Sequence, residues 1–387
     1  MHTGLPRLAR IPIVLIATLG LAACGDDGPG DADISAAIDT YTEGVHASYA
    51  ASADSANSMD VAIDEFIADP TDANLDRART AWLAARDDYG PTEAFRFYGG
   101  PIDDEATGTE GLINAWPMDE SYVDYVEGAP DAGIINDPAG YPTIDADLLV
   151  SLNEAGGETN ISTGWHAIEF LLWGQDLSLD GAGDRPASDY SSADNADRRG
   201  AYLAAASDLL LVHLNELVAA WAPDGDNYRT EFEAVDNEEA LRRIITGIGE
   251  LSRGELAGER MNVAYAERSQ EDEHSCFSDN TTNDIIGNAR GIKMVLTGEY
   301  PGVSGTGILD LVEMADGELA TQLESEVQAS LAAVEAIPAP FDQHLVDGVS
   351  DDDPGRMAVL NGIEHLEDQT DTIVAAADAI GIAINVS

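Results

Sequence analysis

The sequence predicts an all-α protein: two helical-bundle domains with long irregular loops. Apolar residues recur at three- and four-residue spacing over long stretches, and no run alternates β-branched residues as a strand would. Gly- and Pro-rich chain is concentrated in two regions, which leaves helix packed on helix as the architecture. The 387 residues are 44% hydrophobic, enough to build a core. Only 18 Lys and Arg oppose 73 Asp and Glu, a net charge of −55. Nucleic acid is excluded as a partner, because phosphate backbones require clustered cations. An anionic lipid surface is disfavoured for the same reason, which leaves cations, neutral molecules and basic peptides as ligands.

Arg7 and Arg10 precede an apolar run, Ile11 to Leu21, and the small residues Ala22 and Ala23 precede Cys24. This is the pattern of an export signal, residues 1–23, and it is too short for a span of about 20 residues. Leu21-Ala22-Ala23-Cys24 resembles the bacterial lipobox, so Cys24 is expected to carry lipid and residues 24–32 to form a tether. Gly25 in place of Asp favours the outer membrane. Cys276 would then be left without a disulfide partner. Removal of the signal leaves 16 bases against 73 acids, a net −57 on the exported part.

The first helix is expected from Asp33 to about Asp69, where Ile34, Ile38, Tyr41 and Val45 share one face and Asp69-Pro70 ends it. The second runs from Asn74 to Tyr89 and stops at Gly90-Pro91. From Gly99 to Thr163 the chain is rich in Gly, Pro, Asp and Asn, and irregular regions of this length are usually functional. Helix returns at Gly164 to Trp173, and Gln175 to Asn195 reads as a connection between an N-terminal domain, 33–187, and a C-terminal one, 188–387. Further helices are expected at Asp197–Ala222, Asn237–Gln270, Asn283–Thr297, Gly307–Ile337 and Asp353–Ile382, with Pro338 and Pro340 separating the last two.

Two constellations carry ligand chemistry. His166 and Glu169 stand at i and i+3 on the Gly164 helix, a half-site for a transition metal or a hydrogen-bonded pair. Glu271 and His274 form the reversed Glu-x-x-His pair that di-metal bundles project inward, or else an acidic helix end with Glu273. Cys276 reads as a small buried thiol. Arg86 and Arg96 are expected to fork carboxylates, and Glu93, after the helix-ending Gly-Pro, is a ligand that a loop could deliver. His213, His344 and His365 read as structural or surface histidines, and Trp116 as packing.

Gly164-x-His166-x-x-Glu169 matches the G-x-H-x-x-E motif of the imelysin family. The stretch Ile161 to Asp176 resembles the branch named for iron-regulated protein A, as do Asn114 to Pro117, Ala132 to Asp137, Gly258 to Met261 and Gln270 to Thr281. The resemblance covers about residue 34 to the C-terminus. It implies two bundle-like helical domains with the motif near the cleft between them, a lipid-anchored or periplasmic setting, and iron-regulated expression. It also implies a metal site, with His166 and Glu169 as ligands and Glu93 as the third candidate. Gly164, Arg86, Arg260 and Glu273 fall at supporting motif positions. The expected cofactor is a divalent or ferric ion, iron foremost, and the expected partners are a metal ion or iron compound and unidentified iron-uptake proteins. The family takes its name from a peptidase, but this chain has no H-E-x-x-H. Three readings follow: a metal-binding lipoprotein of iron acquisition, a metallopeptidase, or a non-catalytic surface scaffold.

A handful of ligands cannot account for a net −57, so most of the acid is expected on exposed helix faces and loops. Salt screens such charge, over about 3 Å at about 1 M. The melting temperature should therefore rise with sodium chloride; a melting temperature indifferent to salt would contradict this reading.

Overall fold

A computed structural model describes residues 28–386. The export signal and Cys24 lie outside the described residues. About 65% of the chain is helical and 2% is strand.

Helix α1, Asp31–Ala68, begins where the Asp33 carboxylate accepts from the Gly30 N–H and ends before Asp69-Pro70. Its buried face carries Ile38, Tyr41, Val45 and Tyr49 at the expected spacing. Helix α2, Asp72–Tyr89, is N-capped by Thr71, whose hydroxyl accepts from the Asn74 N–H. A 3₁₀ turn, Gly90–Phe95, continues it.

The region expected to be irregular holds only short helices: α3 at Glu110–Ile113, α4 at Glu120–Val123 and α5 at Ala146–Leu152. Arginines from later in the chain pin it. Asp124 is fully buried and accepts two bonds from Arg199, at 2.6 and 2.9 Å, and one from Arg185 at 2.6 Å. Arg198 donates to the Ile134 and Ile135 carbonyls. Helix α6, Gly164–Trp173, is buried on every side, as its nearly uniform apolar composition requires. Helix α7, Ala196–Ala220, packs on α1 and α6, and members of one hydrophobic cluster run from Ala37 to Ile382.

Two of the expected helices differ in detail. After the short α8, Tyr228–Ala234, the stretch expected as one helix is α9, Asn237–Glu250, then a π-helical segment, Leu251–Asn262, then α10, Val263–Glu267. The i→i+5 pattern brings Glu255 and Arg260 together, with Arg260 Nη2 2.9 Å from Glu255 Oε1. At 3.6 residues per turn these two would stand about 140° apart. Helix α11, Thr281–Thr297, leads to a hairpin of β1, Glu299–Tyr300, and β2, Val303–Ser304. The expected helix Gly307–Ile337 is broken into α12, Ile308–Ala315, and α13, Gly317–Glu335. Asp316 makes the break, because its carboxylate accepts from the Glu318 and Leu319 N–H groups and starts a new helix. Helix α14, Pro354–Ala379, packs on α13 and on the π segment around a second hydrophobic cluster.

Helix α11 meets the 3₁₀ turn after α2 backbone to backbone. A Cβ on Gly291 would lie 2.3 Å from the Pro91 carbonyl oxygen, which no side-chain adjustment can relieve. Gly291→Ala should cost about 1–3 kcal/mol by overpacking. Gly317→Ala, whose added methyl meets nothing, should stabilise by up to about 1 kcal/mol. Urea denaturation of the two variants checks both signs.

Candidate metal centre

The site forms where α6, the loop 273–280, the loop around Trp116 and the π segment converge. Gly164 opens α6 at φ +79°, and a Cβ there would lie 2.4 Å from the Ile113 carbonyl oxygen. The first position of the motif is thus a backbone requirement: only glycine lets α6 start against the end of α3. One turn on, His166 and Glu169 are buried and face each other, Nδ1 to Oε2 at 2.9 Å. Glu169 Oε1 accepts from the Ser278 N–H at 2.9 Å and from the Ser278 hydroxyl at 2.7 Å. Both carboxylate oxygens are therefore engaged by protein partners. Glu169, read from sequence as a direct ligand, is in place to orient His166 and to clamp the loop that carries His274.

The two sequence constellations meet through their histidines. The His166 and His274 rings are 4.7 Å apart with planes at 74°, and Trp116 covers His166 at 4.8 Å. Nε2 of each histidine is buried without a hydrogen-bond partner. Buried imidazole nitrogens without partners are costly and fit a group supplied from outside. His274 also lines a pocket of about 360 Å³ with Trp116, Glu110, Glu255, Arg96 and Arg260.

Two other candidates lie elsewhere. Gln270–Asp272 is a 3₁₀ turn followed by extended Glu273, so Glu271 and His274 do not share a helix face. Glu271 is exposed. Glu93 is buried; its Oε2 accepts from Arg96 at 2.5 Å and Arg260 at 2.6 Å in an ion-pair cluster, and its Oε1 has no hydrogen-bond partner. Among the described residues, the one set of three His, Cys or carboxylate ligand atoms gathered closely enough for one ion is Glu273, Asp279 and Asp342. Arg260 also donates to Asn288 Oδ1 at 2.7 Å. Arg86 forks Asp284 at 3.3 and 2.9 Å and donates to Asn114 Oδ1 at 2.6 Å, as expected of an arginine in so acidic a chain. Cys276 is buried, and burial together with Glu169 and Glu273 pushes its thiol up, so it is no thiolate at neutral pH. Sequence reasoning missed Ser278 and Asp284 as site residues and took Trp116 as packing. Ser278 and Trp116 lie in segments that resembled the family, whereas nothing in the sequence marked Asp284.

The pattern that defines the family described as imelysin matches residues 45–373. This chain belongs to the imelysin family. It is 25% identical over 336 residues to iron-regulated protein A of Synechococcus elongatus, covering 84% of this chain and 80% of that one. The fold is similar to that of an iron-regulated protein A precursor from Parabacteroides distasonis, with a TM-score of 0.71 at 19% identity over 90% of this chain and 96% of that one. An imelysin-like protein from Psychrobacter arcticus is similar with a TM-score of 0.65 at 15% identity, over 92% and 98% of the two chains.

Burial dominates the electrostatics of this imelysin site. It holds both histidines well below 6.5, helped by Arg260 and Arg86, so their rings are neutral at pH 7. Burial pushes Glu169 up to about 8 despite the bonds from Ser278. Burial alone would raise Glu93 as well, but Arg96 and Arg260 outweigh it and hold Glu93 at about 2, against 4.5 for a free side chain. A depressed carboxylate stabilises the fold above its unfolded value, and that stability is lost as pH falls through the folded one. The Glu93 contribution, roughly 3 kcal/mol, should therefore disappear between about pH 4.5 and 2. Glu169 acts in the opposite sense and in a separate window, from about 4.5 to 8. Denaturation of Glu93→Gln against pH should show a flatter acid limb below about 4.5 than the parent; identical limbs would contradict the assignment.

Proposed function

We propose that this imelysin-family chain is an exported metal-binding protein of iron acquisition or homeostasis, anchored through lipid on Cys24 at the outer membrane. His166 and His274 would hold a transition-metal ion or an iron compound through Nε2. The observation that carries this is the pair of neutral, buried imidazoles whose Nε2 atoms have no protein partner. Imidazole nitrogen suits iron, zinc, copper and nickel, and the name of the Synechococcus relative favours iron. A bound metal would supply open coordination positions for the donors of its compound or for water.

The surrounding residues support a binding role. With Nδ1–H of His166 donating to Glu169, the Nε2 lone pair is left for a metal, and Ser278 fixes the carboxylate in turn. The pocket beside His274 brings Arg96 and Arg260 together with Glu110 and Glu255, a wall of both signs that suits a charged chelate. A peptidase needs a carboxylate free to take a proton from water. Glu169 has both oxygens engaged and Glu271 is exposed, which leaves Glu273, buried with both oxygens unpartnered, as the base that reading would use.

Elemental analysis after buffer exchange tests the site. The parent loaded with ferrous iron or zinc should retain about one ion per chain, Glu169→Gln should weaken retention about 10- to 100-fold, and His166→Ala with His274→Ala should lose it. Unchanged retention in the double variant would overturn the assignment.

A further inference from the structure

One residue before His274, the chain turns a different kind of ligand into a different place. Glu273 is fully buried and neither of its carboxylate oxygens has a hydrogen-bond partner. The same is true of Asp342, in the 3₁₀ turn Asp342–His344 between α13 and α14. The Asp342 and Gln343 N–H groups lie beside that carboxylate without reaching hydrogen-bond geometry. Asp279, half-buried, contributes a third oxygen, and one oxygen from each residue lies within 4.8 Å of the others. The charged groups that bear most on Glu273 and Asp279 are further carboxylates, Asp176 among them, and the base that bears on Asp342 is His344. His344 already bonds Asp353 at 2.9 Å.

Three carboxylates gathered in this way, two of them with no hydrogen-bond partner, must either take up protons or be met by positive charge from outside the chain. We infer that Glu273, Asp279 and Asp342 form a second site, separate from the histidine pair, that binds a calcium-sized hard divalent cation. All-oxygen donors select hard cations, whereas the imidazoles next to them select transition metals. Three protein carboxylates suit calcium better than magnesium, which keeps several of its waters and is usually held through one or two carboxylates. Asp279 gives the ion a path from solvent. The bound ion would tie the loop bearing His274 and Ser278 to the turn before α14, bracing one wall of the histidine site from behind.

The test uses the full chain treated with chelator, in about 1 M sodium chloride so that the acidic surface is screened. Calorimetric titration should find one calcium per chain, with a rise in melting temperature that magnesium at the same concentration does not match. Asp342→Asn and, separately, Asp279→Asn should weaken calcium by roughly tenfold or more while leaving zinc retention at the histidines unchanged. With chelator present, Asp342→Asn should melt above the parent, because like charges no longer face each other. A parent that takes up no stoichiometric calcium, or either variant binding calcium as the parent does, would overturn the site. Should Asp342→Asn fail to fold, Asp279→Asn, at the half-buried position, decides alone.

Discussion

The buried ion pair between Arg86 and Asp284 organises everything around the site. Arg86 comes from α2 and Asp284 from α11, at 1% and 2% side-chain exposure and 2.9 Å separation. Arg86 reaches on to Asn114, two residues before Trp116, while Asp284 accepts from Asn280 and from the Ser275 hydroxyl. One charge pair thus positions the loop that covers His166 and the loop that carries His274. The guanidinium is packed among the rings of Trp82, Tyr89 and Trp165. A buried pair of this kind adds little net stability over an apolar replacement, but removing one partner strands the other charge. Its contribution is therefore geometric: it makes a single arrangement of the two loops far cheaper than any other.

The same economy runs through the molecule. Arg86, Arg96, Arg185, Arg199, Arg260 and Arg356 are all buried, so a substantial part of the chain's small stock of cations is spent inside. Each forks carboxylates, carbonyls or amides from segments distant in sequence, as Arg199 does with Asp124 and Arg260 with Glu93. Arginine suits this work because its planar donors remain charged in a buried setting. The surface is left with even fewer bases than the composition implies, which sharpens the acid excess facing solvent. Among the buried acids, Glu273 and Asp342 stand out as those with no hydrogen-bond partner on either carboxylate oxygen.

The long helices were legible because their apolar spacing is local and strong. Gly164–Trp173 was placed to the residue, since a nearly all-apolar segment has little choice but full burial. The break at Asp316 and the π segment were not visible, because an Asp in a helical pattern is common and the wide pitch serves contacts that the local sequence does not encode. The His166–Glu169 pair was found at the right spacing, while the contacts of Glu169 with Ser278 were not foreseen. Spacing shows that two side chains meet; it does not show what occupies their other atoms. Glu271 and His274 are not brought onto one face, because Glu-x-x-His does that only within a helix, and that segment is a 3₁₀ turn followed by extended chain.

By itself the sequence determined an all-α imelysin fold, the helix that carries His166, and the large acid excess of the chain. These follow from periodicity, composition and a short local motif, each confined to a few turns of chain. Tertiary structure alone decided that His166 meets His274, that Glu93 belongs to Arg96 and Arg260, and that Glu273 gathers with Asp279 and Asp342. Those outcomes depend on which carboxylates win the few arginines once segments more than a hundred residues apart are packed together. That competition is settled by burial and distance, which no local pattern records.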